Sequence, residues 1–202
     1  MRIFLCDAGN IPQEVLKKAA STLPRERAPR ADMRADAFAA RVVGTLLATY
    51  AIQQISPKTV CENWQKTAAG KPFIKGCPAE FSITHAHGIV GVAVSQEHPV
   101  GLDIEQIRPM RAGFTARYFS DREQAEILAA STPDETLIRL WTAKEAVGKY
   151  HGTGLSGNPA AIDAQNAIST VFEKNATRFA LSVSPRCDIP DLEWVDFSKL
   201  VP

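Results

Sequence analysis

Two stretches of the sequence place acidic and basic side chains at spacings that can support chemistry. Glu145 and Lys149 are four residues apart, so in a helix they are neighbours on one surface. Asp103 and Glu105 alternate with apolar residues, as in a strand, and therefore share one face. Adjacent carboxylates repel each other, and a hard divalent cation bound by both cancels that repulsion. The pattern predicts an open Mg²⁺ site formed by Asp103, Glu105 and a third acid, Glu145.

Each stretch also has a plainer interpretation. A Glu145–Lys149 ion pair at helical spacing contributes only about 0.2–0.5 kcal/mol and needs no ligand. A solvated edge strand tolerates Asp103 and Glu105 on one face without a metal. The functional interpretation therefore depends on the two stretches occurring together in one chain.

A long helix must position Glu145 and Lys149. Thr132 can cap the start of this helix, Pro133 suits its first position, and Glu135 completes a capping box. The glycine-rich stretch at 152–154 predicts the end of the helix.

The remaining elements are predicted from hydrophobic periodicity and turn residues. Predicted strands cover residues 1–6, 81–84, 89–94, 100–105, 168–172, 179–183 and 194–197. Predicted helices cover 11–23, 32–51 and 56–70, with one more that begins at a capping box at Ser120. We expect Val15, Val60, Cys61 and Trp64 to face inward. The turn at 97–99 favours an antiparallel hairpin of 89–94 with 100–105.

Composition excludes several classes of protein. Hydrophobic residues make up 45% of the 202 positions and charged residues 22%, which is typical of a soluble globular protein of one or two domains. A net charge of +1 gives no electrostatic case for nucleic acid or membrane partners. No run approaches the roughly 20 apolar residues of a membrane span. The four scattered cysteines form no Cys-x-x-Cys pair and suit a reducing cytoplasm, where we expect the protein to reside.

The two charged stretches together resemble a known family signature. Gly101-Leu-Asp-Ile-Glu105, followed by Trp141-Thr-Ala-Lys-Glu-Ala-Val-Gly-Lys149, is similar to the paired motifs of the 4′-phosphopantetheinyl transferase superfamily. The N-terminal half resembles that of the larger, single-chain, surfactin-synthetase-activating type. Shorter matches occur at 70–72, 81–86 and 119–123, so the resemblance spans roughly residues 25 to 155.

The resemblance implies an α+β fold of two similar halves, each a small antiparallel sheet with helices. Residues 1–99 would form the N-terminal half, which contacts the nucleotide of coenzyme A. Residues 100–202 would form the C-terminal half, which carries the metal site and the catalytic helix.

The resemblance also implies a reaction. A serine of an apo acyl or peptidyl carrier protein attacks coenzyme A, accepts 4′-phosphopantetheine and releases 3′,5′-ADP in a Mg²⁺-dependent step. Asp103 and Glu105 would hold the metal, and Glu145 would be a third ligand or the base. Lys149 would reach phosphate oxygens. The protein would act as a monomer, without nucleic acid or membrane partners.

Two residues of the catalytic helix have open roles. Lys144 is adjacent to Glu145 in sequence but roughly 100° around the helix, so it would steady the site or meet the phosphate from another side. Gly148 costs about 1 kcal/mol relative to alanine inside a helix, which close packing or room for the pantetheine arm would explain.

The nucleotide contacts are assigned by the resemblance alone. The residues implied are Arg27, Arg30 and Arg41 for the 3′-phosphate, with Lys71, Pro72, Thr84 and His85 along the rest of the nucleotide. A solvated, partly acid-balanced face is the plainer interpretation of the arginines. Ala86 replaces a serine of the family pattern, which removes one hydroxyl donor.

Two other functions use the same residues. A non-catalytic coenzyme A or ADP-binding protein would not require the whole charged set. A Mg²⁺-dependent nucleotide pyrophosphohydrolase would use the same charges without a carrier protein.

Overall fold

The structure is a computed structural model that describes residues 1–111 and 113–201. Its strands are β1 (Arg2–Asp7), β2 (Trp64–Lys66), β3 (Pro72–Ile74), β4 (Glu80–Ala86), β5 (Ile89–Ser95), β6 (Gly101–Gln106), β7 (Ile168–Lys174), β8 (Thr177–Ser184) and β9 (Leu192–Trp194). Its α-helices are α1 (Gln13–Ala20), α2 (Ala35–Ile55), α3 (Phe114–Tyr118), α4 (Asp121–Ala129) and α5 (Pro133–His151). The predicted α+β class is confirmed.

The chain forms two units. One unit is Met1–Val100 together with the segment that begins at Pro190, and the other is Gly101–Ile189. The family resemblance implied that this last segment lies in the C-terminal half. It lies in the N-terminal unit instead, because β9 pairs with β1.

The N-terminal unit is built on a four-stranded sheet in the order β4-β5-β1-β9. The pairs β4–β5 and β5–β1 are antiparallel, but β9 runs parallel to β1. The sheet is therefore mixed, whereas a wholly antiparallel sheet was predicted. The core of the unit is formed by the apolar side chains of α2 packed on the inner face of this sheet. Leu47, Ala51 and Ile52 of α2 are completely buried.

By length and composition alone, α2 is able to cross a membrane, which the sequence analysis did not anticipate. Half of its most apolar window is buried within the protein. The helix packs on β5, β4 and β1, as a core helix does.

Two helix predictions in this unit need correction. Residues 56–63 form turns rather than a helix, and Trp64 begins β2. Asn63 has a left-handed backbone with φ of 57°, which ends any helix before the strand. Val60 is 69% exposed, although Trp64 is buried as predicted. Helix α1 is shorter than predicted, and Val15 on it is 41% exposed.

The C-terminal unit contains a three-stranded antiparallel sheet in the order β6-β8-β7. The predicted hairpin of β5 with β6 is wrong. Both edges of β5 are already paired, one with β4 and the other with β1. Because no hydrogen-bonding edge of β5 remains, β6 pairs with β8 instead.

Helix α5 packs directly on β6 and β8. A Cβ atom at Gly101 would lie 1.9 Å from the carbonyl oxygen of Ala146, so only glycine allows this close approach of strand and helix. The helix begins at Pro133 as predicted, but the Thr132 side chain makes no capping hydrogen bond. Glu135 pairs with Arg178 of β8 instead of completing a capping box.

Gly148 has a packing explanation. A Cβ atom at this position would lie 2.4 Å from the carbonyl oxygen of Gly154, where the chain folds back after the end of α5. The close-packing alternative therefore accounts for a glycine inside this helix.

We expect Gly148→Ala to lower the free energy of unfolding by about 1–3 kcal/mol, because the added methyl group overlaps backbone that cannot rotate away. This loss should outweigh the roughly 1 kcal/mol gain in helix propensity. Thermal and urea unfolding of both proteins measure it.

Gly44→Ala in α2 is the matched control. Its new Cβ would meet only side-chain methyl groups, Ile83 at 3.0 Å and Val90 at 3.6 Å, which can shift slightly. We expect a clearly smaller loss, or a gain. A Gly148→Ala protein as stable as wild type would contradict the packing explanation.

Candidate active site

The two motifs meet through an ion pair between α5 and β6. The Nζ atom of Lys149 lies 2.7 Å from Oδ1 of Asp103 and donates a second hydrogen bond, 3.1 Å long, to the carbonyl oxygen of Leu102. Asp103 is 5% exposed. In the described part of the chain Lys149 thus pairs with a strand carboxylate, not with Glu145 at helical spacing.

The strand register explains why Asp103 faces the helix. Asp103 lies opposite Ser182 of β8, so their side chains share one face of the sheet. The Ser182 hydroxyl is 2.6 Å from the hydroxyl of Thr142 on α5. Asp103 and Glu105 share a face of the strand, as the alternating pattern predicted, and α5 covers that face.

The three carboxylates influence one another electrostatically. Burial, followed by the charges of Asp103 and Glu105, raises the pKa of Glu145 to about 7 against the opposing effect of Lys149. Burial, followed by the charge of Asp103, also raises the pKa of Glu105, while Arg108 and Lys149 lower it. With its pKa raised to about 7, chiefly by burial, Glu145 is partly protonated and partly ionised near neutral pH.

These carboxylates fit a hard divalent cation by their chemistry. Oxygen donors with excess negative charge are the ligands that Mg²⁺ prefers, and Mg²⁺ commonly takes only one or two protein carboxylates beside water and phosphate. Within residues 1–111 and 113–201, no three His, Cys, Asp or Glu side chains converge as a metal-binding group. The donor types fit Mg²⁺, but Asp103, Glu105 and Glu145 do not converge as the three-acid group that the sequence predicted.

Lys144 does not face this cluster. Its side chain is completely buried, and Nζ lies 2.9 Å from Oε1 of Glu123 on α4. Nζ also donates to the carbonyl oxygens of Pro159 and Ile162, at 3.1 and 2.8 Å. These contacts hold α4 and the segment after α5 against the helix. Of the two predicted roles, the structure supports steadying the site and gives no access to phosphate.

Sequence reasoning missed the partner of Lys144. The predicted capping box of α4 is confirmed, because Ser120 and Glu123 exchange hydrogen bonds. Glu123 was assigned only this local role, although its second oxygen binds Lys144. The sequence did carry a signal for this partner. Lys144 lies roughly 100° around the helix from Glu145, so its side chain faces a different part of the protein, where a buried charge requires a partner.

Two of the three candidate arginines are held by protein contacts. Arg27 is 6% exposed, and its Nε donates to the Thr45 hydroxyl at 3.0 Å while its guanidinium lies 4.9 Å from the centre of the Trp64 ring. Burial, then the nearby charge of Arg41, lowers the pKa of Arg27 to about 10. Arg41 donates to the carbonyl oxygens of Arg27 and Glu26, both at 3.0 Å.

Arg30 differs from these two. Its side chain is 81% exposed and lies 3.3 Å from the exposed carboxylate of Asp32. Such a surface pair contributes little and leaves the guanidinium accessible. The structure therefore leaves Arg30 accessible to a ligand, whereas Arg27 is packed in the unit and Arg41 holds the adjacent loop.

The other predicted nucleotide contacts are spread over the N-terminal unit. Lys71 lies just before β3 and donates to the carbonyl oxygen of Val100 at 2.8 Å, and Pro72 begins β3. Thr84 and His85 are consecutive in β4, so their side chains point to opposite faces; Thr84 is buried and His85 is exposed. His85 lines a pocket of about 530 Å³, and Thr84 does not share that side of the strand.

Comparison with known proteins supports the motif assignment. Residues 99–187 match the model of the 4′-phosphopantetheinyl transferase superfamily. The chain is 36% identical over 91 residues to the 4′-phosphopantetheinyl transferase ffp of Bacillus subtilis, which covers 43% of this chain and 40% of that protein. It is 28% identical over 147 residues to another Bacillus subtilis 4′-phosphopantetheinyl transferase, covering 71% of this chain and 65% of the relative.

A third relative is the 4′-phosphopantetheinyl transferase AcpT of Salmonella typhimurium, 38% identical over 89 residues, or 41% of this chain and 46% of the relative. The matched region thus spans about 40% of the length of the first curated relatives. The matched family segment contains Asp103, Glu105, Glu145 and Lys149, the residues that the structure brings together. The resemblance predicted from the sequence is confirmed over residues 99–187, which match the 4′-phosphopantetheinyl transferase superfamily.

Proposed function

We propose that this protein transfers 4′-phosphopantetheine from coenzyme A to a serine of an apo acyl or peptidyl carrier protein, releasing 3′,5′-ADP. The observation that carries the proposal is the 2.7 Å contact of Lys149 with Asp103, which joins the helix motif to the strand motif within the matched segment. The free thiols of the described cysteines are consistent with a reducing, cytoplasmic setting. The monomeric state stays a prediction.

Asp103 and Glu105 would hold Mg²⁺, with Glu145 beside them. When bound, the metal supplies Lewis-acid polarisation and charge neutralisation for a diphosphate. The excess negative charge of the three carboxylates supports this assignment.

Glu145 suits the role of a proton acceptor in this chemistry. A general base works best when its pKa is close to the working pH, and the pKa of Glu145 is raised to about 7. Deprotonated Glu145 would take the proton of the attacking serine as the serine oxygen bonds to phosphorus. Lys149, only 26% exposed, would offset the negative charge of the phosphate oxygens.

Among the N-terminal candidates, Arg30 and His85 would meet the coenzyme A nucleotide most directly, since both are exposed. Arg27 and Arg41 would act through the loop that they brace. Removing Arg30 should then chiefly raise KM for coenzyme A, because its contact is remote from the reacting phosphorus.

The direct test incubates the protein with an apo carrier protein, coenzyme A and Mg²⁺ and follows the carrier mass. We expect Asp103→Asn to reduce transfer by at least about a hundredfold, because metal binding and the position of Lys149 are both lost. Asp121→Asn, on the exposed first turn of α4, is the matched control and should retain activity.

Three results would contradict the proposal. Wild-type protein that modifies no carrier in a panel of acyl and peptidyl types would remove the transferase assignment. Cleavage of coenzyme A without any carrier would favour the pyrophosphohydrolase alternative. Tight binding of coenzyme A without turnover would favour the non-catalytic binding protein.

The charge swap Glu145→Lys with Lys149→Glu should be inactive and less stable than wild type. In a simple helix pair the swap would restore the interaction. Here Lys149 bonds to Asp103, so the swap places a new carboxylate against Asp103 in a partly buried position. Transfer assays and thermal unfolding of the double and both single variants measure this. Recovery of activity or stability in the double variant would overturn the assignment.

The raised pKa of Glu145 predicts a pH-dependent stability. Between its ordinary value of 4.5 and about 7, the folded state binds more protons than the unfolded state, so stability contributed by this group falls as pH rises through that window. In metal-free buffer, Glu145→Gln should therefore gain stability relative to wild type between about pH 5 and about pH 8.

Melting curves in EDTA across that range provide the measurement. Glu62→Gln, at an exposed position of the N-terminal unit, is the control and should track wild type. A difference between wild type and Glu145→Gln that stays constant with pH would show that the Glu145 pKa is not raised by folding.

A further inference from the structure

The C-terminal unit contains a pocket beside α5, on a side of the helix away from the carboxylate cluster. It encloses about 260 Å³. Its floor includes three buried alanines, and exposed arginines stand at its edge; the residues concerned are Ala143, Ala164, Ala167, Arg139 and Arg186.

The helix geometry separates this pocket from the carboxylate cluster. Arg139 and Ala143 are four residues apart and lie on one face of α5. Glu145 is two residues beyond Ala143 and thus roughly 200° around the helix from it, with Lys149 beside Glu145. A group bound in the pocket would therefore touch none of the proposed reacting residues.

The two arginines have donors available to a ligand. Neither Arg139 nor Arg186 makes an ion pair within the described residues. Among the described residues, Arg186 donates to the carbonyl oxygens of Gln165 and Ala167, through one nitrogen and at 3.4 and 3.3 Å. By contrast, Arg178 on the same unit is already paired with Glu135.

A hydroxyl on the pocket wall is held in a fixed position. Ser169 lines the pocket, and its oxygen lies 2.7 Å from the Ser182 hydroxyl, which contacts Thr142 on α5. The Thr142 hydroxyl in turn donates to the carbonyl oxygen of Arg139 at 3.1 Å. This chain ties the wall of the pocket to the turn of α5 that carries Arg139.

We propose that this pocket binds a small oxyanion with a short apolar group, such as a short-chain carboxylate or an alkyl phosphate. Guanidinium groups recognise carboxylate and phosphate through charge-assisted, often bidentate hydrogen bonds. The alanine floor accepts an apolar group of limited size. The volume lies just below the range of about 300–1,000 Å³ for drug-sized ligands, so the ligand is small.

Glu126 makes the proposal sharply testable. Its exposed carboxylate also lines the pocket and would repel a bound anion. Glu126→Gln should therefore bind the oxyanion several-fold more tightly, whereas Arg139→Gln and Arg186→Gln should each weaken it by about tenfold or more. If the glutamate and arginine substitutions have opposite effects, the ligand must be anionic and must lie close to both Glu126 and the two arginines.

The experiment is a titration of the full chain, followed by amide chemical shifts, with butyrate, butyl phosphate and inorganic phosphate as probes. Saturable shifts at Ala143, Ala164 and Ala167 are expected, with the butyl compounds binding more tightly than inorganic phosphate. Butyrate and butyl phosphate compared with each other identify the preferred head group. Arg178→Gln is the control for loss of one positive charge outside the pocket and should bind as wild type does.

Three outcomes would overturn the proposal: no saturable shifts at the pocket alanines, equal binding by wild type and the Arg139→Gln/Arg186→Gln double variant, or weaker binding after Glu126→Gln. The measurement does not involve coenzyme A or a carrier protein. Its result is therefore independent of whether the protein is a transferase.

Discussion

The C-terminal unit depends on the direct contact of α5 with β6. Gly101 allows the strand to approach the helix backbone, and Lys149 then reaches Asp103 across the contact at 2.7 Å. A side chain at position 101 would force the helix away and separate the charged residues of the two motifs. Close packing and electrostatics thus act at the same place, and the spacing of the charged groups follows from the absence of one Cβ atom.

Excess negative charge on the covered face of the sheet has a structural cost. Burial, followed by the charges of neighbouring carboxylates, raises the pKa of Glu105 and of Glu145, and Lys149 only partly compensates. A site that is destabilised in this way when empty gains most from a bound cation, because the cation removes the repulsion. The arrangement fits a function in which metal and phosphate are brought together at this surface.

Support for the site comes from residues that do not touch it. Lys144 is buried against Glu123 and two carbonyl oxygens, which fixes the side of α5 turned away from the carboxylates. Thr142 and Ser182 fix the helix on the sheet. In the N-terminal unit, Arg27 and Arg41 brace their loop in a similar way. Several charged residues of the motifs therefore have positions explained by folding rather than by contact with substrate.

The sequence by itself determined the α+β class, the resemblance of the two charged motifs to one family, the extent of α5 and the shared face of Asp103 and Glu105. Local periodicity and motif spacing carry this information, and all of these features lie within single elements. The partners of those elements depended on tertiary structure. The pairing of β6 with β8, the return of β9 to β1 and the Lys149–Asp103 and Lys144–Glu123 pairs each join residues distant in sequence. Only packing decides which strand edge is still available and which face of a helix is buried, because neither is a property of a short stretch of chain.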